Sequence, residues 1–343
     1  MDKKDLQIME IYAQNCRIPT TTIAKALKLS KDTISYKINN LIKQKHIKQN
    51  ILFIDSRVLG FTRYHILLRF DIGVKNKQDI IKLISKHKYV MWTNSFIGRY
   101  DLQIILDATD SFHLNKIREE LFELCENKIK EYIILTHLSD LEFTQLNPIL
   151  NLNTKFQKKL DHSFSNILCT KSFPVSKDFV KYNPTLKEIE ILNILSQNPQ
   201  ESLINISREL NIDRNTVKKK IINLIEKKVI INFGAIPNLS KQGFVTYFLL
   251  VRIKQNTPHE ILKKPFLKLQ NIFYAGNFIG DYDLILYFNA RNPEELNSSI
   301  ELFKKHTEEY IIHYDLLVQD KNYNWIQFTK GIYENLKKKI YTK

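Results

Sequence analysis

A chain of 343 residues, 43% apolar and 26% charged, has the composition of globular domains and the length for two to four separate cores. None of its apolar runs approaches the length of a membrane-spanning helix, and its N-terminal residues MDKKDLQIMEIY carry acids rather than a signal-peptide core, so a cytoplasmic protein without a membrane partner is expected. The 52 Lys and Arg against 36 Asp and Glu leave a net charge of +16, which points to an acidic partner, nucleic acid before anionic membrane, unless a general Lys-, Ile- and Asn-rich bias sets it. Cys16, Cys125 and Cys169 have no paired spacing, and the nine histidines form no HExxH, so neither a disulfide framework, a metal site nor a cofactor is expected.

The first sixty residues read as three short helices and a hairpin. Ile8, Ile11 and Tyr12 lie at helical spacing. Pro19 and Thr20-Thr21-Thr22 open a second helix with Ile23, Ala24 and Leu27 inward. A break at Lys28-Leu29 leads to Ser30 as N-cap. The third helix then carries Ile34, Ile38, Leu41 and Ile42 as one buried stripe, and a short strand follows over 51–54. After residue 60 the period changes. Strands are expected over 64–71, 89–96, 101–107 and 131–138. Helices are expected over 77–87, with Ile80, Ile81, Leu83 and Ile84 inside, and over 111–124. The order is βαββαβ, a ferredoxin-like unit. Residues 144–184 hold Pro148, Pro174 and Pro184 and read as a linker, with a short helix near 156–160.

The chain then repeats itself. Residues 23–42 and 206–225 share eight of twenty positions, among them Thr33/Thr216, Lys37/Lys220 and Asn40/Asn223, at a constant offset of 183 residues. Asn211 stands at the second break, where Asn tolerates a left-handed backbone, and Asp213 is the cap. FIGRYDL at 96–102 returns as FIGDYDL at 278–284. The second βαββαβ unit is expected over 245–253, 258–269, 272–278, 283–289, 293–306 and 310–318. The fold class is therefore α+β: two winged helix-turn-helix domains, each followed by a ferredoxin-like domain. The domains are 1–60, 61–143, a linker 144–184, 185–243, 244–320 and a basic tail 321–343.

This arrangement resembles the Lrp/AsnC, or feast/famine, regulators over nearly the whole chain, twice. The phrases that carry the resemblance are LSKDTISYKINNL and NIDRNTVKKKIINL, the turns at Leu59-Gly60-Phe61 and Gln242-Gly243-Phe244, and the Gly98…Asp101 and Gly280…Asp283 loops. The resemblance implies double-stranded DNA as partner, pairing of the ferredoxin-like domains and an amino-acid effector, with no enzymatic activity. The departure is the fusion, which implies pairing within one chain as a pseudo-dimer and leaves higher homo-oligomers open.

With the apolar stripe inward, the opposite side of each third helix faces out. The candidate DNA contacts are Lys31, Thr33, Tyr36, Lys37 and Asn40 in the first copy. In the second they are Arg214, Asn215, Thr216, Lys219, Lys220 and Asn223. Lysines neutralise phosphate, Arg suits guanine and Asn suits adenine. The differences Tyr36/Lys219 and Asp32/Asn215 imply unlike half-sites. At the second site the resemblance places Gly98, Asp101, Gly280 and Asp283 beside an effector. A tight structural hairpin would need the glycines anyway. Two alternatives share the fold. One is a small-molecule sensor that does not bind DNA. The other is a sirohaem decarboxylase, expected to use His and Arg. Arg99, His113, His137 and His313 are present, but no Arg-Arg-Phe-Gly or His-Arg phrase is.

Overall fold

The computed structural model describes residues 1–126, 128–143, 179–258, 261, 262, 265, 269 and 271–342. The expected linker is described only from residue 179, and its helix near 156–160 lies outside the described residues, as does most of the helix expected over 258–269. In chain order the elements are α1 (Lys3–Gln14), α2 (Thr20–Leu27), α3 (Lys31–Lys43), β1 (Ile47–Ile54), β2 (Thr62–Phe70), α4 (Lys77–Ser85), β3 (Val90–Ile97), β4 (Leu102–Ala108), α5 (Ser111–Glu123) and β5 (Ile129–Phe143). They continue with α6 (Leu186–Gln197), α7 (Leu203–Leu210), α8 (Arg214–Glu226), β6 (Ile230–Pro237), β7 (Val245–Ile253), β8 (Ile272–Ile279), β9 (Leu284–Ala290), α9 (Pro293–Thr307), β10 (Ile311–Trp325) and α10 (Lys330–Tyr341). These elements fall into two compact units, each built from both copies. Met1–Asp55 joins Pro184–Gly243, and Ser56–Phe143 joins Phe244–Lys343.

In the first unit, local sequence sets each helix. Asp2 and Asp5 form a capping box on α1, and Thr185 and Glu188 form one on α6. Lys28 and Asn211 take left-handed conformations that end α2 and α7. Ser30 then caps α3 and Asp213 caps α8. Ile34, Ile38 and Leu41 are buried, as are Val217, Ile221 and Leu224. Ile42, expected in the stripe, is 41% exposed: eight residues on from Ile34 it lies about 80° round the helix, at the edge of the buried face that Leu41 still shares.

The expected hairpin is not formed within a copy. β1 pairs antiparallel with β6, placing Ile51 opposite Gly234, its own equivalent in the other copy. The pairing is thus made about a local two-fold axis. Loop contacts reinforce it: Arg17 donates to the Pro199 and Glu201 carbonyls at 2.7 and 3.0 Å, and Gln200, at the position equivalent to Arg17, donates to the Cys16 carbonyl at 2.8 Å.

The second unit is a closed eight-stranded barrel of order β10-β3-β4-β2-β5-β8-β9-β7. Each half has the ferredoxin-like order, and closure is reciprocal. β5 pairs with β2 up to Thr136 and then with β8 as far as Phe143. β10 pairs with β7 and then with β3 as far as Trp325. The last strands are therefore longer than expected, and residues 321–325 belong to β10 rather than to a tail. Lys330–Tyr341 then form α10, which buries Ile332 and Leu336.

Inside the barrel, Leu67, Trp92, Phe96, Ile105 and Leu135 of the first copy pack with Phe248, Phe278, Ile285, Tyr287 and Leu317 of the second. Neither half covers its inner sheet face by itself. Outside, α4 and α5 cover one half and α9 the other. Leu83, expected inward on α4, is 53% exposed; Ile80, Ile81 and Ile84 fill the interface.

Candidate nucleic-acid interface

The third helices α3 and α8 hold the expected DNA residues, and packing divides them into three groups. Lys31 and Tyr36 of α3, and Arg214, Asn215 and Lys219 of α8, are exposed, Tyr36 by 71%. Asn40 is half-buried.

Thr33 and Thr216 belong to the helix caps. The Ser30 hydroxyl accepts from the Thr33 amide at 3.0 Å and lies 2.8 Å from the Thr33 hydroxyl. Thr216 donates its amide and its hydroxyl to Asp213, which holds that carboxyl below its ordinary range.

Lys37, Lys220 and Asn223 turn toward the first helix of their own domain. The Lys37 ammonium bridges Asp2 at 2.8 Å and Asp5 at 2.7 Å. These two carboxylates raise the Lys37 pKa, and the Lys37 hydrogen bond lowers that of Asp2. In the second copy Lys220 donates to the Thr185 hydroxyl at 3.3 Å and Asn223 to Glu188 at 2.8 Å. Lys37 and Lys220, shared between the copies, each tie the third helix to the start of the first.

Lys218 was not among the sequence-derived contacts. It is exposed and sits one helical turn beyond Arg214, so the i, i+4 spacing was the signal for it. The outward face of α8 therefore presents Arg214, Asn215, Lys218 and Lys219, and that of α3 presents Lys31, Asp32, Tyr36 and Asn39. Such faces can neutralise phosphates and reach base edges.

The two glycine loops lie in the barrel unit, where each copy meets the other. Gly98 has φ +146° and Gly280 has φ +145°, a region that L side chains rarely adopt. A Cβ on Gly98 would lie 2.8 Å from Leu317 Cδ2, and one on Gly280 would lie 2.8 Å from the Ile134 carbonyl oxygen. Each glycine thus lets its hairpin approach the last strand of the other copy.

The Asp carboxylates are already partnered. Asp101 accepts from the Phe70 amide at 2.7 Å and pairs with Lys77. Asp283 accepts from the Ile253 amide at 2.9 Å and from Arg252 at 3.4 Å. Between the loops, Arg99 reaches Glu131 and Asp315, each at 3.3 Å, and Tyr282 donates to Asp315.

Of the residues weighed for tetrapyrrole chemistry, Arg99 and His313 both lie against Tyr282. His113 accepts from the Thr109 amide on the first turn of α5. His137 lies inside the barrel, stacked on His65 and 2.9 Å from Asp140. Burial, with His137 and Arg63 nearby, holds the His65 pKa far below its ordinary value, so its ring is neutral. Among the described residues, no group of three His, Cys, Asp or Glu is arranged to hold a metal ion.

A family model described as winged helix-turn-helix DNA-binding matches residues 1–48. The chain is 30% identical over 124 residues to the HTH-type transcriptional regulator LysM of Sulfurisphaera tokodaii, covering 36% of this chain and 86% of that protein. It is also 30% identical over 121 residues to the HTH-type transcriptional regulator FL11 of Pyrococcus abyssi, covering 34% of this chain and 80% of that one. Among solved structures, the siroheme decarboxylase NirDL matches with a TM-score of 0.59 at 12% identity, covering 99% of both chains. At that identity the likeness is one of fold: NirDL shares the duplicated architecture. The identity to LysM over most of its length, together with a helix-turn-helix and a ferredoxin-like unit found twice, places the chain in the Lrp/AsnC family of helix-turn-helix regulators.

Proposed function

We propose that the chain is a sequence-specific DNA-binding transcriptional regulator that acts as an intrachain pseudo-dimer, with a small effector, such as an amino acid, acting on the barrel unit. The observation that carries this reading is the pairing of two helix-turn-helix domains through β1 and β6, with third helices that expose Lys31 and Tyr36 on one and Arg214, Lys218 and Lys219 on the other. One chain then supplies both readers. The net charge of +16 gives the long-range attraction to DNA. The identity to the regulators LysM and FL11 supports a regulator over an enzyme.

Gel-shift titration of the full chain on duplexes from a random pool tests the reading. Binding should weaken linearly in log–log form as salt rises, with a slope of roughly −0.9 for each phosphate neutralised. Binding that ignores salt, or no binding at low salt, would sink it. An effector would show as a shift of that binding curve when single amino acids are added.

A further inference from the structure

The two readers are locked together yet chemically unlike, and this has a consequence for the DNA they fit. Resting on the DNA-binding reading above, we propose that the operator is directional: α8 takes a phosphate-anchored half-site through Arg214, Lys218 and Lys219, and α3 takes a different one through Lys31 and Tyr36.

The asymmetry begins with charge. On α3 the exposed Lys31 stands beside the exposed Asp32, and Lys37 is neutralised by Asp2 and Asp5. On α8 the equivalent of Asp32 is Asn215, and Arg214, Lys218 and Lys219 are all exposed. The residue equivalent to Asp2 is Thr185, which carries no charge, and Lys220 meets its hydroxyl where Lys37 meets two carboxylates directly. Asp213 puts one exposed carboxylate at the start of α8, where α3 has Ser30, so each face carries one acid; on α8 it stands against Arg214, Lys218 and Lys219, and on α3 Asp32 stands against Lys31.

The base-reading groups differ as well. Arg214 can bond guanine O6 and N7 in pairs, and Asn215 can do the same to adenine N6 and N7. At the matching positions α3 offers Lys31, a point charge, and Asp32, which accepts hydrogen bonds only. Tyr36 adds an aromatic face where α8 has Lys219.

Fusion makes the difference permanent. In a homodimer a symmetric site meets two identical readers. Here the local two-fold of the β1–β6 ribbon always relates α3 to α8, and the Arg17 and Gln200 contacts fasten unlike loops across it. One chain cannot offer two copies of α8.

Selection of bound duplexes from a random pool, using the full chain, gives the operator. The selected site and two symmetrised versions, each carrying one half-site twice, are then titrated across salt. The proposal expects a non-palindromic site and about tenfold or greater loss on both symmetrised duplexes. Arg214→Ala with Lys219→Ala should reduce the salt slope by about 2, and Lys31→Ala with Tyr36→Ala by about 1 at most. A palindromic selected site, or equal affinity for all three duplexes, overturns directionality and leaves DNA binding standing. Failure to bind any duplex at low salt overturns the DNA-binding reading itself, and the proposal with it.

Discussion

Glu10 is a carboxyl in the wrong solvent. It sits among Ile8, Met9, Ile11 and Tyr12 on the buried side of α1, and its Oε2 has no hydrogen-bond partner. Burial raises its pKa from 4.5 to about 7. The folded state therefore keeps a proton that the unfolded chain has released. The stability linked to this group is full below pH 4.5 and is lost as pH rises through about 7. The span amounts to roughly 3 kcal/mol, from about 1.4 kcal/mol for each pH unit of difference. The second copy has Asn193 at this position. Glu10→Gln should therefore stabilise the protein at pH 8 and flatten its urea midpoint between pH 5 and pH 8. Chemical denaturation across that range checks both, and an unchanged slope would remove Glu10 as its source. The capping residues illustrate the same scale. Ser30 and Asp213 were legible as caps because an N-cap acts within three residues. The partners of Lys37 were not, because Asp2 and Asp5 lie more than thirty positions away and no local pattern links them.

At the scale of elements, the helix stripes could be read because a 3.6-residue period reports which side is buried. Strand partners could not. A period of two says that a strand has an inner and an outer face, but not which strand lies beside it. β1 therefore looked like half of a hairpin, although its partner is β6, and β5 and β10 were read short because their later residues pair with the other copy. The glycine loops belong to this level too. The family resemblance placed Gly98 and Gly280 beside an effector, with a tight hairpin as the other reading, and the structure gives both a packing reason. Gly280→Ala would place a methyl 2.7 Å from Leu135 Cδ2 and 2.8 Å from the Ile134 carbonyl, on a backbone at φ +145°. Strain and overpacking together should destabilise the barrel by about 3 kcal/mol, read as a lowered melting temperature. A variant that melts like the parent would show that the hairpin can back away from β5 freely. Asp101 and Asp283 carry a related lesson. Their carboxylates cap Phe70 and Ile253 amides, so an ammonium ligand at either would have to displace Lys77 or Arg252 or share the carboxylate with it.

For the whole molecule, fusion changes the thermodynamics of pairing. Separate protomers that share a barrel dissociate on unfolding, so their melting temperature rises with concentration by mass action. Here the inner faces of both half-barrels belong to one chain. Leu67, Trp92 and Phe96 of the first half cannot be buried without Phe248, Phe278 and Tyr287 of the second, and the connection between them is covalent. Unfolding then releases no partner. The melting temperature of the full chain should be constant from about 1 to about 100 μM, whereas a two-chain barrel of similar stability would shift by several degrees over the same range. The same logic reaches the DNA. A regulator assembled from free protomers loses operator affinity once it is diluted below its own dimer dissociation constant. This chain should bind one operator per molecule, with a binding curve that keeps its shape at any dilution. Calorimetry across that range and a gel-shift titration at picomolar operator check the two halves of the prediction. A melting temperature that climbs with concentration would mean that contacts between chains, rather than the barrel within one chain, set the stability of the folded state.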